Sequence, residues 1–238
     1  MRPNFRSISG AALMLVILPI FAGLLACMPE YVPLGNPERA RIDENMSGLW
    51  FVESDEGLVG TFLFLEPWDK RTWLVTNVVV EVSDSTGLEG DADVDLDTST
   101  YEGFTELFAQ ADIDVDDFEV GMLQYKGWLV KLGGEAFLTW ELRTVVDDTG
   151  QLFEPWFWYD MRVTERTADR IVLHFIDTEF PPLKEAPQTK RAWEKVVRKH
   201  ADNEELYNYN ATILHRVKED DIELFTELLN YAVLGETF

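Results

Sequence analysis

The chain has 238 residues, 46% of them hydrophobic and 13% aromatic, which excludes a disordered protein and leaves room for one well-cored domain. A formal charge of −24 makes a surface that repels nucleic acid and anionic lipid headgroups, so neither is an expected partner. The single cysteine, Cys27, rules out an internal disulfide framework, so the fold must stand on its core alone.

Met1 to Arg6 carries two arginines and no acid, and an almost unbroken apolar run follows from Ala11 to Ala26. That run is about 16 residues, short of the roughly 20 a spanning helix needs, and Pro19 and Gly23 interrupt it. It reads as a targeting segment outside the fold. Leu24-Leu25-Ala26-Cys27 resembles the bacterial lipobox, in which a signal peptidase cuts before a cysteine bearing a diacylglyceryl group. The resemblance implies that Cys27 is the acylated N-terminus of a cell-envelope lipoprotein; Met28 in second place, where an aspartate would retain the chain at the inner membrane, implies the periplasmic face of the outer membrane. Without Arg2 and Arg6, the remaining 18 basic and 44 acidic side chains leave −26 on 212 residues. Acyl chains, not the protein surface, would then hold the protein to the membrane.

Met28 to Asn45, with Pro29, Pro33, Pro37 and Gly35 and no periodicity, reads as a tether between lipid and domain. From Ser47 the pattern turns to the period of two that marks half-buried strands. Strands are expected at Ser47 to Glu53, Leu58 to Glu66, Arg71 to Ser83, Leu123 to Leu132, Glu135 to Val146, Pro155 to Arg166 and Arg170 to Asp177. Short links such as Pro67-Trp68-Asp69-Lys70, Gly133-Gly134 and Ala168-Asp169 join antiparallel neighbours. A meander of this kind must close or cover its edges. The fold class is therefore mainly β, a single antiparallel up-and-down sheet or a barrel of about eight strands.

Asp84 to Glu119 interrupts the meander with 13 acids and no Lys or Arg. Within it Tyr101 to Ala109 has the pattern of a short amphipathic helix, with Phe104, Leu107 and Phe108 on one side. Gln188 to His200 reads as a helix with Trp193, Val196 and Val197 inward, Ala211 to Val217 as a further strand, and Asp221 to Tyr231 as a last helix capped by Asp220 or Asp221. The divisions are thus a signal at 1–26, a tether at 27–45, the β domain at 46–218 and a C-terminal helix at 219–238.

Gly48-Leu49-Trp50 opens the first strand as the G-x-W motif does in lipocalins, and a helix before a final strand also resembles that family's late order. The family's T-D-Y triplet and its late arginine over the tryptophan have no evident counterpart. The mature chain also resembles uncharacterised bacterial lipoproteins with a small lipocalin-like domain, through Gly48-Leu49-Trp50, the Gly133-Gly134 hairpin and Phe137-Leu138. These likenesses imply a fold and a place.

For a binding site, alternation sends Trp156 and Trp158 to one face and Phe157 and Tyr159 to the other, so one aromatic pair lies outside the core proper. If the barrel is hollow, Leu138, Trp140, Phe157 and Tyr159 would line a cavity for a small apolar or amphipathic ligand; if it is filled, the same residues are core and the acidic segment would meet a basic partner or cations. Asp91, Asp93, Asp95, Asp97, Ser99 and Glu102 fall on the ligand positions of a calcium loop. Leu96, however, stands where that loop needs glycine, and Ser99-Thr100-Tyr101-Glu102 is a helix capping box, so no metal site is expected. His174, His200 and His215 are isolated, and no P-loop, dinucleotide fingerprint or G-x-S-x-G occurs, so neither a cofactor nor catalysis is expected.

Overall fold

The computed structural model describes residues 32–53, 59–82, 100–110, 118–143, 145–146, 152–153, 158–207, 210–223 and 225–226. Eight strands close into a barrel: β1 (Gly48–Val52), β2 (Val59–Pro67), β3 (Trp73–Val82), β4 (Phe118–Leu132), β5 (Glu135–Leu142), β8 (Trp158–Arg166), β9 (Arg170–Phe175) and β10 (Thr212–Arg216). Each pairs antiparallel with its neighbours in the order β1-β2-β3-β4-β5-β8-β9-β10, and β10 returns to β1 through Trp50 opposite Arg216 and Val52 opposite Leu214. The expected lipocalin-like, up-and-down barrel is thus the fold.

One expected strand is shorter than the pattern suggested: the one read to Val146 ends at Leu142, and Val145–Val146 (β6) pairs instead with Leu152–Phe153 (β7) in a separate two-stranded sheet. Of the strand read from Pro155, Trp158–Arg166 is strand as expected and the first three residues lie outside the described residues. The Gly133-Gly134 turn between β4 and β5 has φ of +63° and +97°, the left-handed pair that a two-residue hairpin requires. A Cβ on Gly133 would also lie 2.8 Å from the Arg198 carbonyl oxygen.

Period-two alternation sorts the apolar side chains between two faces. Inward go Trp50, Leu63, Leu65, Trp73, Tyr125, Leu138, Trp140, Tyr159, Met161, Leu173 and Leu214, in one buried cluster. The outward apolar residues fall on opposite walls, and each wall has its own cover. On β1 to β3, Phe51, Phe62, Val78 and Val80 lie beneath α1 (Tyr101–Gln110) and Phe225. Gly60 is what admits Phe104 there, since a Cβ would meet its ring. The Thr100 Oγ1 caps helix α1 by accepting from the Gly103 N–H; Ser99, the first residue of the expected capping box, lies outside the described residues. On β4, on β5 and just past the end of β9, Leu132, Phe137 and Ile176 lie beneath α2 (Pro181–Lys184) and α3 (Lys190–His200). As the periodicity predicted, Trp193 and Val197 of α3 are buried and Val196 packs against them. The Thr189 Oγ1 caps α3 by accepting from the Ala192 N–H.

The stretch read as a tether is, from Val32 onward, part of the folded unit. Leu34 is fully buried on the outer wall. Its backbone N–H donates to both carboxylate oxygens of Asp160, at 3.2 Å each. Its carbonyl accepts from Trp128 Nε1 at 2.8 Å and Thr139 Oγ1 at 3.3 Å, and Thr139 also donates to Asp160. Gly35 follows at φ +69°, where a Cβ would stand 2.7 Å from Val130, and its N–H donates to Glu194 Oε1 of α3. This strap then makes two short 3-10 turns, Pro37–Arg39 and Glu44–Met46, the second capped by Asp43, whose carboxylate also pairs with Arg166 at 2.8 Å. Prolines and glycines suggested a loose linker. The hydrogen bonds that hold it come from residues more than 90 positions away, which local pattern does not contain.

The final helix starts differently from expectation. A 3-10 turn at Glu219–Asp221 leads into it, with no side-chain cap, and the Asp221 carboxylate instead accepts from the Tyr101 hydroxyl at 2.5 Å. Residues 224 and 227–238, like the signal segment and nearly all of the acidic stretch outside α1, lie outside the described residues, so most of the expected last helix does too.

If the strap is structural, Leu34→Ala should destabilise the protein by about 2–5 kcal/mol, the cost of truncating a buried leucine. Urea unfolding of the soluble domain measures it, and an unchanged midpoint would mean that the strap carries no load.

Candidate functional site

The barrel interior is built from the bottom up. Met46, at the end of the second 3-10 turn, is fully buried with the inward residues and closes the end of the barrel at which β1 begins. The Met46 carbonyl accepts from Trp50 Nε1 at 2.9 Å, and Trp73 Nε1 donates to Ser47 Oγ at 3.2 Å. Over the Trp50 ring, at 4.2 Å from its centroid, lies the guanidinium of Arg216. Its nitrogens donate to the carbonyls of Ser47 at 2.9 Å, Asn45 at 2.5 Å and Ala168. Gly48 leaves the space, because a Cβ at its φ of +128° would meet Nη1. Burial lowers the Arg216 pKa from its ordinary value, yet an arginine keeps its charge through such a shift.

Arg216 thus stands over Trp50, a placement for which the sequence had offered no evident arginine. Its signal was available: it lies near the end of the expected strand Ala211 to Val217, and β10 must close against the strand that carries Gly48-Leu49-Trp50.

Above this floor the wall is aromatic. Leu138 is fully buried, and Trp140 and Tyr159 nearly so, facing each other across the β5–β8 pairing. Tyr125 joins them, its ring centroid 5.6 Å from Trp140 and 6.0 Å from Tyr159, and Tyr159 meets Phe175 edge-on at 6.1 Å. The structure therefore brings together three of the four expected lining residues; Phe157 lies outside the described residues, as does Cys27. Trp158 sits half-buried on the face opposite Tyr159, as alternation requires. Trp128 is buried on the outer wall beneath the strap rather than inside.

Sequence reading passed over the polar part of this wall. Asn77, on β3, is buried and hydrogen-bonds the Tyr125 hydroxyl, whose pKa burial pushes up, with Tyr159 adding to the rise. Among the described residues, two buried polar atoms on the inward face find no hydrogen-bond partner: the Asn77 carboxamide oxygen and the Trp140 indole N–H. Every residue of the buried inward cluster is uncharged, and the Trp140 indole edge lies over the gap that Gly127 leaves. An unmet donor and an unmet acceptor in an apolar enclosure each forfeit their hydration, at roughly 1–3 kcal/mol apiece. Asn77 stood in the run Val75 to Val80 on the same side as Val75 and Val79, where a carboxamide between two valines was the available signal.

Of the histidines, His200 packs edge-on to Phe180 at 5.3 Å, and His215 Nε2 lies 2.7 Å from Glu53 Oε1. His174 faces Tyr207 on the outer wall, where burial lowers its pKa despite the opposing pull of Glu204, and Arg162 adds to the lowering. Among the described residues no cluster of three metal-ligating side chains forms. Comparison with protein families, curated proteins and solved structures finds no match for this chain.

Arg216→Ala strips three carbonyls of their donor and uncovers Trp50, so a loss of about 2–4 kcal/mol in unfolding free energy is expected. Arg216→Lys should recover only part of it, because an ammonium cannot fork to all three; full recovery would show that charge alone matters. His174 supplies a pH test. Its folded pKa lies below the unfolded value near 6.5, so the unfolded chain takes the proton first, and stability present above about pH 6.5 erodes as pH falls through and below that value. Unfolding curves of wild type and His174→Gln should diverge in that window, and parallel curves would remove His174 as the cause.

Proposed function

We propose that the chain is a lipid-anchored envelope lipoprotein whose barrel holds a small, neutral, amphipathic ligand. The observation that carries this reading is the Trp140 N–H and the Asn77 carboxamide oxygen, buried with no hydrogen-bond partner among the described residues, where the buried side chains facing inward are uncharged. One donor and one acceptor together suit a group that both accepts and donates, such as a hydroxyl, on a body that packs against Tyr125, Tyr159 and Leu138. The uncharged wall disfavours an ionised carboxylate, which would be desolvated without a counter-charge.

The anchor rests on the lipobox-like Leu24-Leu25-Ala26-Cys27, and the outer-membrane address on Met28. Lipocalin-like kinship gains support from the plugged floor, the G-x-W opening and Arg216 over Trp50. The second reading, a filled barrel serving an interaction protein that meets cations or a basic partner through its acidic segment, is favoured by the complete burial of Trp50, Leu138 and Met161.

Native mass spectrometry of the protein extracted gently from its host's membranes tests both parts. Acyl mass on Cys27 is expected, together with a further few hundred daltons, roughly the content of a small-ligand cavity, that leave on unfolding. Trp140→Phe removes the donor and should weaken retention by about tenfold. A protein with no extra mass, and a Trp140→Phe variant more stable than wild type, would leave the filled-barrel reading in possession.

A further inference from the structure

Charge on this protein is segregated. Helix α3 carries Lys190, Arg191, Lys195, Arg198 and Lys199, five of the chain's 20 basic residues, within its 11 positions. Arg191, Lys195, Arg198 and Lys199 are exposed, and among the described residues none of the five forms an ion pair. The one acid of the helix, Glu194, is turned to the strap, where it accepts from Gly35. Acids do stand at its ends, Glu185 before it and Asp202, Glu204 and Glu205 after it, with Glu204 set against Arg162. The described acidic side chains of the acid-rich stretch, Glu102 and Glu106, lie on α1, which covers the other outer wall of the barrel. With a Debye length of about 8 Å at physiological ionic strength, the potential at α3 is set by the charges close to it rather than by the net charge of the chain.

The same wall is where the chain comes in. Val32 and Leu34 share a buried cluster with Trp193 and Val197 of α3. Between Cys27 and Val32 there are only five residue steps, a reach of at most about 18 Å. We propose that the exposed basic face of α3 is a membrane-docking surface that rests on the anionic phospholipid headgroups of the bilayer carrying the anchor. The choice of a bilayer as partner rests on acylation of Cys27; the charge pattern and the short lead do not. Docked in this way, the barrel is held with the α3 wall toward the lipid, rather than swinging freely on a linker. Basic side chains beside an anionic leaflet each add to the attraction, and together they act as a second signal beside the acyl chains.

The test uses the soluble Met28 to Phe238 chain, which retains the whole described fold, and sedimentation with vesicles of phosphatidylcholine alone or of three parts phosphatidylcholine to one part phosphatidylglycerol. Binding is expected to the anionic vesicles only, weakening as salt rises. The variant K195E/R198E should lose roughly tenfold or more in binding, while K70E/R71E, which changes the net charge equally at exposed sites on the β2–β3 turn, should retain it. Circular dichroism and urea midpoints of both variants check that folding is intact. No binding to anionic vesicles at low salt, or equal loss in both variants, would overturn the proposal. Acylation is read separately from the intact mass of the membrane-extracted protein, so a missing anchor and a non-docking helix give different results.

Discussion

A peptide group taken out of water must be met by partners, and at Leu34 all of them are side chains from distant strands. Asp160 accepts from its N–H, and Trp128 and Thr139 donate to its carbonyl. Much else depends on this clasp. It sets Gly35 against Glu194 so that the strap is gripped between α3 and the barrel, and it starts the path that ends with Met46 closing the floor. Asp160 is itself only 1% exposed, and a carboxylate so deep is tolerable because three hydrogen bonds reach it. Neither partner makes sense alone.

How much of this was legible in the sequence follows from the range of the forces involved. Alternation is local, so Leu138, Trp140 and Leu142 and then Tyr159, Met161 and Val163 announced two strands and their inward faces. Spacing on α3 announced Trp193, Val196 and Val197 in the same way. What stayed hidden was set by contacts across the chain. Asp160 alternated outward with Arg162 and looked solvent-facing, yet the strap covers it. Arg216 looked like one cation on a short strand, yet barrel closure puts it over a tryptophan near the other end of the domain. Asn77 looked like a flaw in a valine run, yet it faces inward against Tyr125.

The barrel also shows how one chain can have three separate apolar regions without exposing them. A single inner cluster would leave Phe51 and Phe62 on one outer wall, and Phe137 and Leu132 on the other, open to solvent. Tyr101 and Phe104 of α1 cover the first, and Trp193 and Val197 of α3 cover the second. The outer faces of the two helices then differ in sign, Glu102 and Glu106 on α1 against the cations of α3. The polar groups left inside, at Asn77 and Trp140, are the part of the molecule that its own packing does not explain.

The pairing of β1 with β10 has a temporal side. Arg216 donates to Ser47 across 169 residues, and the seam between these strands is made of such contacts. Next-neighbour hairpins, from β2–β3 through β8–β9, can form as each turn is synthesised. The seam cannot form until almost the whole chain exists, and until then Trp50 has no cover and the floor has no lock. High contact order of this kind makes the last closure slow, and an open sheet with an aromatic inner face is prone to pairing with the wrong edge. The step that turns this chain from a sticky ribbon into a sealed vessel is therefore reserved for its final thirty or so residues.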